Sequence, residues 1–510
     1  MKRNLVMKGY RGAIRPVSTF ILVLGFPVAA SAQCVTSGSA ISCTVPSGTQ
    51  PPVTVSQTTV GSVTNGLSVT VGSGAVISTL SNSTANLTND AVVVGENSTI
   101  EVAGTVETES DNIKGKGGTI VGQDSTDTIE GERGTTITVD SGGQVLSTGT
   151  QPTAEAINLT GTGNTIINNG AITAQNADAI YFDDERGDKV STDSTTIINN
   201  GTIAGYLADN TTANPNANAK TVAIGEGGGE TFNITNDSGA TIEGDIVLNK
   251  GATNLTLDPN STITGYIKTD GNTANNINLS GDSSTIGVMS TALQGGAIGF
   301  ANLDKTGTST WEVDKSISSE LSSPPEAIAV DVEGGTLALT ADNSSFKGTT
   351  TVGSAGTLKI GDEADGATTA GSLTGAVADS GKVVFDNSAT TTMTGLAIGG
   401  SGAVAQEGDG TTTLDTAQSY TGATTINAGT LALTGSGSIA TSSGVTVASG
   451  GTFDISGTTS GSSVQSLAGT GAVSLGGETL TLTNASGNYG GNMSGTGGLT
   501  VSGGTETLSG

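Results

Sequence analysis

One short stretch of the chain concentrates the side chains that could perform acid–base chemistry. Residues 183–188 contain the carboxylates Asp183, Asp184 and Asp188, which could supply the one acid and one base that cleave a polysaccharide. Sugar sites usually also contain stacking aromatic rings, and only Tyr181 and Phe182 stand nearby. A lone acidic loop is more often a solvated excursion from the surface, and we favour that interpretation.

The same stretch contains a tripeptide typical of adhesive loops. Arg186, Gly187 and Asp188 match an integrin-type adhesion motif, which needs an exposed loop and a host that offers the receptor. The carboxylates could alternatively bind calcium, because their oxygens are hard ligands. Three residues carry little information, so we keep the tripeptide as a candidate adhesion motif and predict no metal and no cofactor.

The composition excludes most catalytic constellations. The chain has no histidine and two cysteines, which removes Ser-His-Asp and Cys-His arrangements and most zinc sites. No Gly-Lys pair has the spacing of a phosphate-binding loop. We therefore predict that the chain is not an enzyme and has no small-molecule substrate.

The N-terminus predicts export. Residues 1–15 are basic without any acidic residue, residues 20–30 are apolar, and residues 30–32 are small, which is the layout of a secretory signal peptide. We expect residues 1–32 to be removed and the rest to reach the cell surface, the outer membrane or the medium. Cys34 and Cys43 would then enter an oxidising compartment, where a structural disulfide is expected.

The charge balance restricts the partners. With 18 basic and 46 acidic residues, the formal net charge is −28. Nucleic acid and anionic lipid would be repelled by such a chain, while its solubility would benefit. We predict that it does not bind nucleic acid.

Short alternating runs of apolar and polar residues, separated by glycine-containing turns, fill the chain from Val53 onward. The segments 165–172 and 196–203 are nearly identical and lie 31 positions apart. Alternation places Ile, Val and Leu on one face of each strand, and Asn-Gly pairs suit sharp corners. Units too small for a core of their own must stack to bury these faces. We predict an all-β, elongated parallel β-helix or solenoid with about 22 residues per coil.

The C-terminal region resembles the passenger-associated repeat of bacterial autotransporters. One copy spans 420–433 and a second spans 346–358, and residues 303–311 resemble the segment that precedes such repeats. The second copy has one extra residue between Val352 and Gly356. The positions that define the two copies are Phe346, Gly348, Gly356, Leu358, Tyr420, Gly422, Ile426, Gly429 and Leu431.

The resemblance implies a passenger built of β-helix coils that an outer-membrane β-barrel translocator carries across the membrane. No barrel is recognisable in this chain, and we expect it to be a truncated passenger. Phe346, Tyr420 and Tyr489 take similar places before glycine-containing turns. A ligand-stacking ladder is conceivable there, but packing within the coil is favoured because equivalent positions of a solenoid superpose.

These observations predict three segments: a signal peptide at 1–32, an irregular solenoid with a disulfide-capped start at 33–300, and passenger-associated repeats at 301–510. A serine- and proline-rich stretch at 316–325 suggests a boundary. We predict a non-catalytic structural or adhesive display rod whose partners are a host or surface receptor or other cells. A polysaccharide-degrading β-helix and a self-associating matrix protein are the alternatives.

Overall fold

The computed structural model describes residues 33–44, 53–56, 60–62, 64–79, 90–110, 112–114, 120–123, 127–149, 154–183, 193–206, 222–226, 230–317, 321, 328–361 and 370–510. Strands dominate these residues, and the helix Met289–Ala292 is a single turn. No helix in these ranges is long and apolar enough to cross a membrane.

The N-terminal half is a parallel β-helix with three faces, because each coil contributes one strand to each of three sheets. Strands of the first face are Ala40–Thr44, Ser68–Val71, Thr99–Val102, Thr136–Val139, Thr165–Asn168, Ser194–Asn199, Thr231–Asn236, Thr253–Leu257, Asn276–Leu279 and Asn302–Lys305. Strands of the second face are Val53–Ser56, Ala75–Thr79, Thr105–Ser110, Gln144–Gly149, Ala171–Gln175, Thr202–Tyr206, Thr241–Glu243 and Thr262–Ile263. Strands of the third face are Val60–Ser62, Val92–Val94, Ile129–Gly131, Ile157–Thr160, Ile180–Asp183, Val222–Glu226, Asp245–Val247, Ile267–Lys268 and Ala297–Ile298.

Two antiparallel hairpins stand apart from this parallel arrangement. Gln33–Ser37 pairs antiparallel with Ala40–Thr44, and a disulfide joins Cys34 to Cys43 across the pair. Asn112–Lys114 and Ile120–Gln123 form the second hairpin. The first hairpin lies at the N-terminal edge of the described stack, since Ala40–Thr44 pairs on its other side with Ser68–Val71.

Equivalent residues of successive coils stack in register. Ile137, Ile166, Ile197 and Ile234 pair in one continuous ladder, and each is at most 1% exposed. The two nearly identical segments, 165–172 and 196–203, pair with each other on both the first and the second face. This register confirms the predicted solenoid, in which each coil buries its aliphatic side chains against the next.

Three buried amides mark the corner after the first face. Asn168 donates from Nδ2 to Oδ1 of Asn199 at 2.8 Å, and Asn199 donates in the same way to Asn236 at 2.8 Å. All three side chains are fully buried. Stacked amides satisfy their own polar atoms and also bind the turn backbone, as Asn199 does with Thr241 O.

Beyond Asn302 the stack continues with long strands that each bridge two ladders. Ala329–Leu339 pairs through its first half with Asn302–Lys305 and through its second half with Thr310–Val313. Thr349–Ile360 then pairs with both halves of Ala329–Leu339, and the same relation joins Thr424–Gly435 to Val445–Thr458. The remaining strands of this half are Gly287–Val288, Asp342–Asn343, Ser372–Leu373, Gly375–Asp379, Lys382–Phe385, Thr391–Met393, Leu396–Gly400, Ala403–Gln406, Thr411–Leu414, Ser419–Tyr420, Ser462–Val464, Leu467–Gly469, Ala472–Gly476, Thr479–Leu482, Asn488–Tyr489, Met493–Gly495, Gly498–Val501 and Thr507–Leu508.

Coil length varies along the stack. Contacts between adjacent coils span 31 and 37 positions at the amide corner, but 21 or 22 positions between residues 233 and 275 and 20 or 21 positions near residues 395–421. The expected length of about 22 residues therefore fits coils in both halves. The longest N-terminal coils contain additional residues between their strands. Within the proposed boundary at 316–325, the structure describes residues 316, 317 and 321.

Candidate functional site

The acidic loop that could have been catalytic is described only at its start. Asp183 ends the strand Ile180–Asp183, and its side chain is exposed. Asp184, Arg186, Gly187 and Asp188 lie outside the described residues. The described strand of the third face thus ends at Asp183.

The two aromatic residues that precede this segment differ in how accessible they are to a ligand at the surface. Phe182 is fully buried, and its ring packs edge-on against Phe232 with the ring centroids 5.1 Å apart. Tyr181 is only half-buried on the outward side of the same strand. Phe182 is therefore a core residue and cannot stack on a sugar bound at the surface.

A row of carboxyl groups precedes the strands of the third face. Asp90, Asp127, Glu155 and Asp178 each lie two residues before the first residue of such a strand. Oδ1 of Asp90 accepts the backbone N–H of Asp127 at 2.8 Å, and Oδ1 of Asp127 accepts that of Glu155 at 2.9 Å. Oδ1 of Asp178 accepts the backbone N–H of Val222 at 3.3 Å, so three of these carboxyl groups bind the backbone of the next coil.

Asp127, Glu155 and Asp178 hold protons more tightly than ordinary carboxyl groups. Burial raises the pKa of Asp127 well above its usual range, and its hydrogen bond with the Glu155 side chain adds to the effect. Burial also raises the pKa of Glu155, and it raises that of Asp178 to about 7. At neutral pH the row is consequently less charged than its composition suggests.

Asp127 and Glu155 do not have the separation that a glycosidase needs between its two carboxyl groups. Retaining and inverting glycosidases hold their two carboxyl groups roughly 5–9.5 Å apart with the sugar between them. The Asp127 and Glu155 side chains instead bond to each other. In the part of the chain that the structure describes, no group of three or more acidic or cysteine side chains could hold a metal ion. The observed contacts give these carboxyl groups a role in joining coils.

The aromatic and aliphatic residues that define the repeats lie in the core. Phe346, Tyr420 and Tyr489 are at most 3% exposed, and Leu358, Ile426 and Leu431 are fully buried. The Tyr420 hydroxyl bonds to Thr424 Oγ1 at 2.7 Å, and the Tyr489 hydroxyl donates to Gly471 O at 2.8 Å. These rings secure the coil corners and do not form a ladder open to a ligand.

The glycines that define the repeats lie where adjacent coils approach most closely. A Cβ added at Gly348, Gly356 or Gly422 would overlap a backbone carbonyl group of the preceding coil. Gly429 has the same close approach and also a positive φ of 55°. The repeat motif therefore encodes contact between coils, since only a residue without a side chain fits at these points.

The segment that precedes the repeats contains a buried cation. Lys305 takes an inward position next to Leu279 in the ladder, and its Nζ donates to the carbonyl oxygens of Thr306, Gly307 and Gly334. Burial lowers the pKa of Lys305 to about 8. Its ammonium group links two successive coils where the long strands begin.

Comparison with known families agrees with this geometry. The family model of the passenger-associated-transport-repeat matches residues 333–360 and 404–433, which contain both copies noted in the sequence. This chain carries passenger-associated-transport repeats. They indicate an autotransporter passenger domain, a class of domain that is exported to the cell surface or the extracellular space. A search of curated proteins found no match to the chain.

The carboxyl row was missed by the sequence analysis, although a signal for it exists. Asp90, Asp127, Glu155 and Asp178 are each followed by a small residue or threonine and then by Val or Ile. The coils that carry them differ in length, so the pattern has no fixed period. It becomes visible only once the strands of the third face are aligned.

Proposed function

We propose that this passenger is a non-catalytic display rod that an outer-membrane β-barrel translocator delivers to the cell surface. The observation that carries the proposal is the in-register stacking of the repeat coils, whose defining residues are core side chains and contact glycines. Because the residues that define the repeats are buried, contacts with a partner must be made by the outer surface and the loops. The net charge of −28 favours solubility and keeps neighbouring copies apart.

The proposal includes a division of the chain. Residues 1–32 are a signal peptide that is removed, residues 33–300 form the irregular part of the rod with its disulfide-capped start, and residues 301–510 form the repeat part. The change from three-faced coils to long bridging strands near Asn302 supports this division. The segment 184–192, with its Arg186-Gly187-Asp188 tripeptide, is the candidate adhesive element, and a host or surface receptor or another cell is its partner.

Surface display and adhesion can be tested separately. Export is tested by antibody labelling of intact Gram-negative cells that express the complete gene, and labelling without permeabilisation is expected. Adhesion is tested with beads coated with residues 33–510 and applied to cultured host cells. Asp188→Glu is expected to lower bead attachment several-fold, whereas Asp184→Glu, the same change outside the tripeptide, is expected to leave it unchanged.

Three results would contradict parts of the proposal. Labelling that appears only after permeabilisation would remove the display role. Release of reducing sugar from polysaccharides by the purified rod, lost in the Asp183→Asn variant, would support the enzymatic alternative. Equal attachment by the Asp188→Glu and unchanged rods would remove the tripeptide as the adhesive element.

A further inference from the structure

The stack opens between residues 435–438 of one coil and residues 459–463 of the next. Thr459 N donates to Gly435 O at 3.3 Å, and Gln465 Nε2 donates to Thr441 O at 3.5 Å. Between these two contacts lies a groove of about 500 Å³, within the range of about 300–1,000 Å³ typical of ligand sites. All residues in this part of the chain are described.

One wall of the groove is the edge of a sheet. Ser462–Val464 is the first strand of a three-stranded parallel sheet and pairs only with Thr479–Leu482. On its other side the chain near Ser436 forms a turn and provides no partner strand. The strand therefore has one open side, and that side faces the groove.

The register identifies which backbone groups are open. Val464 O accepts the N–H of Thr483, so the polar backbone groups of Val464 point toward the neighbouring strand. Successive residues of a parallel strand direct these groups to opposite sides. The N–H and C=O of Ser463 consequently point into the groove, which Ser463 also lines.

The lining favours a particular kind of ligand. All eleven lining residues are glycine, serine or threonine, so the groove has neither a charge nor an aromatic ring. Ser462 is 9% exposed, and its Oγ has no hydrogen-bond partner in the structure. A buried hydroxyl without a partner is costly unless something binds it. A sugar would find no ring for stacking, whereas an extended backbone would find both an open strand edge and a free hydroxyl.

We propose that this groove binds an uncharged, extended peptide segment with small side chains, which adds as a strand to the edge of Ser462–Val464. Main-chain hydrogen bonds to the Ser463 N–H and C=O supply the affinity, as in other cases of strand addition. The small lining residues let the incoming backbone approach closely. The proposal is independent of adhesion by the segment 184–192.

The test measures binding of a blocked, fluorescein-labelled heptapeptide, GTVTVTG, to residues 33–510 by fluorescence anisotropy. Ser463→Pro removes the open N–H, at an edge position where proline is tolerated. It is expected to weaken binding at least about tenfold. Ser463→Ala keeps the N–H and is expected to bind within about twofold of the unchanged protein. Ser462→Ala is expected to weaken binding about threefold without lowering the unfolding temperature, since it removes a hydroxyl without a partner.

A variant that fills the groove provides a second test in case the proline variant does not fold. Ser460 is exposed on the rim, so Ser460→Trp is expected to block the peptide while the unfolding temperature stays unchanged. Absence of peptide binding up to about 5 mM would overturn the proposal. Equal binding by Ser463→Pro and Ser463→Ala would also overturn it, as would binding of maltohexaose in place of the peptide.

Discussion

The amide corner shows how a single buried residue can tie three coils together. Asn199 accepts a hydrogen bond from Asn168, donates to Asn236 and to Thr241 O, and accepts from the backbone N–H of Gly201. Its outward neighbour Asn200 makes the same kind of side-chain contact in solvent. Water can replace a lost hydrogen-bond partner at the exposed Asn200 but not at the buried Asn199. Substitution of Asn199 should therefore lower the free energy of unfolding much more than substitution of Asn200.

Asn199→Ala is expected to lower the free energy of unfolding by about 2–4 kcal/mol, because it leaves several buried groups without partners and creates a small cavity. Asn200→Ala is the matched control and should cost less than about 0.5 kcal/mol. Urea unfolding of residues 33–510, followed by circular dichroism, measures both. Similar losses for the two variants would contradict the role of the buried ladder.

Strands of adjacent coils approach each other most closely at glycine residues. Gly422 lies where a Cβ would overlap the Gly402 carbonyl, whereas a Cβ at Gly444 would make ordinary contacts with Ser466 at 3.6 Å. Both are glycines near the start of a strand in the repeat region. They differ in whether the preceding coil leaves room.

Gly422→Ala is expected to destabilise the protein by about 1–3 kcal/mol, since the coils must separate to accommodate the methyl group. Gly444→Ala should be neutral or stabilise by up to about 1 kcal/mol, because alanine restricts the unfolded chain. The urea midpoint of each variant measures the effect. A larger loss at position 444 than at position 422 would argue against close coil contact at Gly422.

The carboxyl row makes the stability of the third face depend on pH. Asp127, Glu155 and Asp178 have pKa values raised on folding, so the folded chain retains protons that the unfolded chain loses. For Asp178 this interval runs from its ordinary value of 3.8 to about 7. The stabilising contribution is therefore complete below pH 4 and is lost as the pH rises toward 7.

We predict that the urea midpoint falls as the pH rises from 5 to 7.5. The fall should be smaller in the triple variant Asp127→Asn, Glu155→Gln, Asp178→Asn, which cannot lose these protons. Glu101→Gln changes an exposed carboxylate of the first face and serves as the control. An identical fall in the triple variant and the unchanged protein would show that the row does not govern the pH response.

The sequence predicts the strands better than it predicts the row. Alternation at Ile166 and Ile197 marks the core face directly, and the repeated Asn-Gly turn fixes their register. The carboxyl contacts span 37 positions between Asp90 and Asp127 but 28 between Asp127 and Glu155. Because these spacings are unequal, a search of the sequence for a fixed repeat length does not align the carboxyl groups.

The groove was likewise not predictable from sequence. Ser462 and Ser463 look like the many other Ser-Gly segments of the chain, and nothing local shows that the preceding coil forms a turn where a strand would close the edge. A strand edge is open only where the preceding coil has no strand beside it. Which segments of two coils lie side by side is known from the structure and not from the sequence.

At the scale of the whole molecule, the ladders define a rod. The apolar core runs without a break from Cys43 to Tyr489. Roughly 20 rungs at a spacing of about 4.8 Å give a length of about 95 Å. At the predicted length of about 22 residues per coil, residues 33–510 would form a rod on the order of 100 Å long, which is close to this value.

Small-angle X-ray scattering of residues 33–510 is expected to give a radius of gyration of about 29 Å, because the mass is spread along one axis. A compact domain of this size would have about 23 Å. The value should not change with protein concentration, since the net charge keeps copies apart. A radius near the compact value would contradict the rod, and growth with concentration would support self-association.

The hairpin at the start of the stack has a consequence for assembly. Gln33–Ser37 runs against the direction of the strand it covers, and the disulfide holds it there. A second rod that meets this end finds a strand of reversed polarity, so the parallel register cannot pass from one molecule into the next. A further coil in the parallel order of the stack therefore cannot be added directly to this edge.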